Sequence, residues 1–119
     1  MQSSGSIGSP GEGIRVLIVD DEKSHAEVVG EALERQGYEI TLATSGNAGS
    51  RQIDQEDFDI ILTDLRMGDL GGMEILKKAR QVQPDCEVLV ITGHGDVKTA
   101  VEAIKHGASN YLTKPLDMA

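Results

Sequence analysis

Little in this sequence suits it to nucleic acid or to lipid. Two tyrosines and one phenylalanine, with no tryptophan, are too few for a base-stacking platform. The longest basic run is Lys77-Lys78, and 11 basic against 20 acidic residues leave a formal charge of −9 that repels phosphate backbones and anionic bilayers. No apolar run approaches the roughly 18 residues a membrane span requires, and the N-terminus has no basic segment followed by an apolar one. Neither nucleic acid nor membrane is therefore an expected partner of this domain. The one cysteine, Cys86, excludes an internal disulfide and has too few neighbouring ligands for zinc, which points to a reducing, cytoplasmic compartment. At 119 residues the chain can still bury a core of its own, and one domain is expected.

What is present is an alternation of apolar runs and amphipathic stretches. Met1 to Gly13 is rich in Ser and Gly and is expected to be a flexible tail, with the folded domain over 14–119. Ile14 to Val19 is a near-continuous apolar run, suited to a strand covered on both faces and closed by Asp20-Asp21-Glu22. Ser24 to Gln36 places Val28, Val29, Ala32 and Leu33 at helical spacing, with Gly37 as its stop. Tyr38 to Ala43 reads as a shorter strand. A hydroxyl-capped helix over about 47–55 follows, expected to be short or mobile because Gly49 interrupts a thin apolar face. Phe58 to Asp64 is a second buried strand ending on an acid. Met73 to Val82 carries Ile75, Leu76, Ala79 and Val82 on one side, and Pro84 stops that helix. Glu87 to Ile91 is a strand running into Thr92. Asp96 caps a helix with Val97, Ala100, Val101 and Ile104 as its apolar face, and Asn110 to Thr113 runs into Lys114-Pro115. Such alternation predicts a parallel α/β sheet with helices on both faces. A closing helix after the last strand is missing before Ala119, so an apolar strip by the first and fifth strands is expected to need cover from a partner, a swapped segment or the tail.

Four strand ends direct polar groups to one edge: Asp20 and Asp21, Asp64, Thr92 and Lys114. Each alone has an ordinary structural reading as a loop cap or a surface charge. Together they make a site. Three crowded carboxylates raise one another's pKa unless cations hold them, and hard oxygen ligands with open water positions suit Mg²⁺. With Mg²⁺ and Lys114 the acids are neutralised, and an ionised Asp64 can attack phosphorus to form an acyl phosphate without a separate base.

At this point Asp20-Asp21, Asp64, Thr92 and Lys114-Pro115 resemble the receiver domains of two-component response regulators, over about 14–117. The stretch from Thr92 to Asp117 further resembles the receivers of nitrogen-regulation-type, enhancer-binding transcription activators. The resemblance implies a flavodoxin-like, doubly wound five-stranded sheet in the order 2-1-3-4-5. It implies Asp64 as phosphoacceptor from a sensor histidine kinase, with Thr92 and Lys114 assisting. Mg²⁺ would be held by Asp21, Asp64 and the Arg66 backbone carbonyl, with Asp20 acting through water. Thr92 and Tyr111 would form the switch pair, and Lys114-Pro115 would be cis. The output would be read from the face of the fourth helix and fifth strand by an output domain or a homodimer partner, to control transcription. No catalysis is implied beyond Mg²⁺-dependent self-phosphorylation and autodephosphorylation.

The resemblance has departures. Where Met-Pro is usual after the phosphoacceptor, Met67 is followed by Gly68, and Gly71-Gly72 adds freedom, so this loop is expected to be more mobile than in relatives. Arg66 and His94, two places past Asp64 and Thr92, have two readings: solvated surface residues, which is the expected one, or side chains that overhang the phosphate and modulate attack by water. The alternative function is an aspartate-nucleophile, Mg²⁺-dependent phosphohydrolase. Such enzymes place the nucleophile in an Asp-x-Asp motif on the first strand, whereas Asp20 and Asp21 are adjacent and no inserted cap is present.

Overall fold

The first apolar run becomes the strand on which the rest is assembled. In the computed structural model, which describes residues 10–93, 95 and 97–114, Arg15–Val19 (β1) lies inside the sheet with Val16 to Val19 at most 3% exposed. Burial on both faces is what a continuous apolar run requires. β1 pairs in parallel with Glu39–Ala43 (β2) on one side and Ile60–Asp64 (β3) on the other. Glu87–Thr92 (β4) and Asn110–Thr113 (β5) extend the sheet beyond β3, giving the expected order β2-β1-β3-β4-β5. The crossover helices among the described residues are Lys23–Glu34 (α1), Gly46–Gln55 (α2), Gly72–Val82 (α3) and Val97–Lys105 (α4). Strand order reverses about β1 and β3, and such a reversal opens a crevice at the carboxyl ends of the strands.

Each face of the sheet has its own core. Leu17, Val19, Ile61, Val88 and Val90 meet Ile53 of α2, Ile75, Leu76 and Ala79 of α3 and Ala103 of α4. On the other face Val16, Ile18, Leu62 and Ile91 meet Ala26 and Val29 of α1. Ile60, Leu89 and Leu112 are only partly buried there. The first strand, where the expected apolar strip would also run, is buried from Val16 to Val19. Residues 115–119, with Pro115 and its expected cis bond, lie outside the described residues, as do 1–9 of the expected tail. Residues 10–13 of that tail form a turn, with Gly11 buried against Tyr38 and its N–H donating to the Gln36 carbonyl at 2.8 Å.

Two helices sit differently from the sequence pattern. In α1 the inward residues are Ala26, Val29 and Gly30, while Val28 is 61% exposed. In α4 the expected apolar face is turned outward: Val97, Val101 and Ile104 are 80%, 46% and 51% exposed, and Ala103 is the buried residue. The cause lies in the sheet beneath. Tyr111 packs on the core and its hydroxyl lies 2.8 Å from Thr99 Oγ1, so the Thr99 and Ala103 row, rather than the valine row, faces inward.

α2 is a full ten residues, and the glycine expected to weaken it is what seats it. A Cβ at Gly49 would come within 2.7 Å of Val19 Cγ2. Ser45 Oγ accepts from the Ala48 N–H at 3.0 Å, and Lys78 ties the helix to α3 through Ser50 at 2.7 Å and Asp54 at 2.6 Å. Tertiary contact here overrides a poor intrinsic propensity. At the opposite edge of the sheet, Cys86 is 2% exposed, and burial pushes its thiol up to about 11.

Candidate functional site at the carboxyl edge of the sheet

Three of the chain's acids reach the crevice because β1 and β3 end side by side. Asp20 and Asp21 follow β1, Asp64 is the last residue of β3, and one carboxylate oxygen from each lies within 4.8 Å of the others. Asp20 and Asp64 are 3% and 9% exposed, while Asp21 stands at the solvent side. Lys114 arrives from the end of β5, anchored by its N–H to the Thr92 carbonyl at 2.8 Å. Its Nζ lies 3.0 Å from Asp64 Oδ2, 3.3 Å from Asp20 Oδ2 and 3.7 Å from Glu22 Oε1. Thr92 closes β4 at the same edge, fully buried, one residue beyond the register partner of Asp64. Arg66 is exposed, and its N–H reaches toward Asp64 Oδ1 at 3.4 Å. His94 lies outside the described residues.

The two buried acids are driven in opposite directions. Burial pushes Asp20 up, but the Glu22 N–H, His25 and Lys114 together outweigh it and hold the carboxyl below the ordinary 3.8. For Asp64, burial and the neighbouring Asp20 charge outweigh Lys114 and the Arg66 N–H, and its carboxyl is raised. Lys114 loses from burial and gains more from Asp64 and Asp20, so it stays an ammonium. One lysine thus faces more negative charge than it neutralises. A cluster of hard oxygens with that surplus fits a divalent cation.

Sequence reasoning brought Asp20, Asp21, Asp64 and Lys114 together correctly but missed residues that hold them. His25 Nδ1 lies 2.6 Å from Asp20 Oδ2. The Gly68 N–H donates to Asp21 Oδ2 at 3.0 Å. Asp69 accepts from the Gly46 and Asn47 N–H groups at 2.9 Å each, which ties the loop after β3 to the start of α2. The loop after β3 thus carries hydrogen bonds at both Gly68 and Asp69. The Asp69 contacts span more than twenty residues of sequence and leave no local signal. His25 did leave one, since an imidazole in the first turn after an acidic strand end leans back toward that end.

A doubly wound sheet that sets two adjacent acids, a strand-terminal aspartate, a threonine and a lysine at one edge defines a phosphoryl-accepting signalling module. Residues 16–119 match the response regulator receiver domain family, and the chain belongs to it. It is 41% identical over 106 residues to the transcriptional regulatory protein ZraR of Escherichia coli (strain K12), covering 89% of this chain and 24% of that protein. The chain thus spans about a quarter of that relative's length. Among solved structures it resembles a Burkholderia pseudomallei response regulator crystallised with a phosphorylated aspartic acid, calcium ion and citrate. That match has a TM-score of 0.84 at 34% identity, over 88% of this chain and 62% of the other. The beryllofluoride-activated NtrC4 receiver domain dimer matches with a TM-score of 0.81 at 40% identity, over 87% of this chain and 85% of the other. These relatives agree with the resemblance to nitrogen-regulation-type receivers. The chain is a receiver domain of a two-component response regulator.

Proposed function

We propose that Asp64 is the phosphoacceptor of this receiver, taking a phosphoryl group from a phosphohistidine on a sensor histidine kinase. The observation that carries this is the Lys114 ammonium 3.0 Å from an Asp64 carboxylate set among two further acids. A carboxylate oxygen of Asp64 attacks phosphorus, the P–N bond breaks, and its electron pair stays on the kinase imidazole. An acyl phosphate results. Lys114 lies where it can neutralise a phosphoryl oxygen, and the Thr92 hydroxyl at the neighbouring strand end donates to another. Mg²⁺, held by Asp21, Asp64 and the Arg66 carbonyl with Asp20 acting through water, supplies the remaining charge neutralisation when bound. Arg66 and His94 modulate hydrolysis of the product.

The same reading gives the signal a route. Phosphorylation replaces one carboxylate charge with roughly −1.5 to −2 and strong acceptor oxygens. Thr92 is drawn toward them, and Tyr111, held to α4 through Thr99, turns with it. α4 presents Val97, Val101 and Ile104 to solvent. This face serves an output domain or a second receiver in the switched state, and through it transcription. The NtrC4 receiver dimer supports a dimeric arrangement.

Intact-mass measurement after incubation with acetyl phosphate and Mg²⁺ tests the assignment. The parent chain is expected to gain one hydroxylamine-labile phosphate and Asp64→Asn to gain none. A stable adduct, or one retained in the variant, would place the phosphate elsewhere.

A further inference from the structure

His25 is the third residue of α1, and side chains of a first helical turn lean toward the helix N-terminus. Its ring lies over the loop that leaves β1, with Nδ1 2.6 Å from Asp20 Oδ2. The imidazole is 22% exposed and the carboxylate 4%. The Asp20 carboxylate accepts from the Glu22 N–H and from Lys114 Nζ, so at 2.6 Å the fitting partner for Oδ2 is a protonated Nδ1 of His25. The other carboxylate oxygen accepts from the Glu22 N–H at 2.9 Å. Oδ2 is shared between His25 and Lys114, and the lysine is the more distant of the two at 3.3 Å. Its shorter contact, 3.0 Å, goes to Asp64.

We propose that His25 is a positioning residue for the cation site. Its Nδ1–H fixes the orientation of Asp20 and supplies compensation that Lys114 would otherwise have to give, which leaves the ammonium on Asp64. Two buried acids compete for one lysine, with the exposed Glu22 a third and more distant partner. With the imidazole gone, Asp20 draws Lys114 toward itself and is free to turn about its own side-chain bonds. This inference rests on reading Asp20, Asp21 and Asp64 as the divalent-ion site. An ion pair that served only to fasten α1 would change stability and nothing else.

Calorimetric titration with Mg²⁺ alone, on unphosphorylated protein, separates these roles when paired with acetyl phosphate rates at saturating Mg²⁺. His25→Leu is expected to weaken Mg²⁺ binding about tenfold, the lower end of the range for removal of a hydrogen-bond partner of a metal-site ligand, and to slow phosphorylation at saturation. His25→Asn, whose amide nitrogen can occupy the place of Nδ1, is expected to recover most of both. His25→Gln sets its amide too far along and is expected to behave like His25→Leu, and being polar at a part-exposed position it also guards against loss of folding. Parental affinity and rate in His25→Leu or His25→Gln, with or without a lower melting temperature, would overturn the proposal. Asp21→Asn is the control. Parental Mg²⁺ affinity in that variant would overturn the cation-site reading itself, a failure distinct from that of His25.

Discussion

A Cβ on Gly72 would stand 2.2 Å from the carbonyl oxygen of Asp64, so the first turn of α3 rests directly on the backbone of the proposed phosphoacceptor. Gly72→Ala must push the two apart. It is expected to lower the melting temperature by at least the roughly 4–8 °C that 1 kcal/mol produces in a small domain, and to reduce phosphate uptake with it. Gly68→Ala makes the contrast, since a Cβ there meets nothing nearer than Asp21 Oδ2 at 3.9 Å. By restricting the unfolded chain it is expected to be neutral or to stabilise by up to about 1 kcal/mol. Thermal melts of the two variants check both.

Asp64→Asn is expected to do more than abolish phosphorylation. The Asp64 carboxyl holds its proton more firmly folded than unfolded, so ionising it costs the native state. In metal-free buffer the parent therefore loses stability as pH rises from the ordinary 3.8 through the raised native value, and the asparagine variant is spared that loss. Asp20 behaves in the opposite sense. Its stabilising share is complete above 3.8 and disappears as pH falls through its lowered native value. At neutral pH, Asp64→Asn should melt above the parent and Asp20→Asn below it.

Mg²⁺ should stabilise the parent in proportion to occupancy. At a hundred times the dissociation constant, linkage gives about 2.7 kcal/mol. Melts across a Mg²⁺ series are expected to show a rising midpoint in the parent and a flat one in Asp21→Asn. A rise of equal size in both would refer the effect to general ionic screening.

Lys114→Met leaves Asp20 and Asp64 without their shared cation. Stranding a buried charge of this kind costs about 3–5 kcal/mol in dry interiors and less where water reaches, as it does here. Added Mg²⁺ is expected to recover much of the stability, because a second cation answers the same acids. It should not recover the phosphorylation rate.

Tyr111→Phe removes the 2.8 Å contact with Thr99 Oγ1 but keeps the ring. If that contact couples β5 to α4, amide exchange at the start of α4 should quicken in the unphosphorylated protein, and Thr99→Val should reproduce the effect. The two changes should not add in the double variant.

The carboxyl-edge site was legible because strand identity and chemical identity coincide in it. Asp20, Asp64, Thr92 and Lys114 each end an apolar run, and a parallel sheet sends all such ends one way. Helix phase was less legible. α4 offers apolar residues on two neighbouring stripes, and packing on the sheet, where Tyr111 meets Thr99, turns Ala103 in and leaves Val101 out. α2 was undervalued because a glycine reads as flexibility until the Val19 side chain it touches is in place. Asp69 acts across a gap of more than twenty residues that no periodicity records.

The unreactive state of Cys86 has a practical use. A thiol 2% exposed and pushed up to about 11 presents almost no thiolate to a maleimide or a nitroxide reagent at neutral pH. A second cysteine introduced at Val97 or Val101 could thus be labelled selectively in the otherwise unaltered chain. Spectroscopic probes could then follow α4 in real time as acetyl phosphate is added.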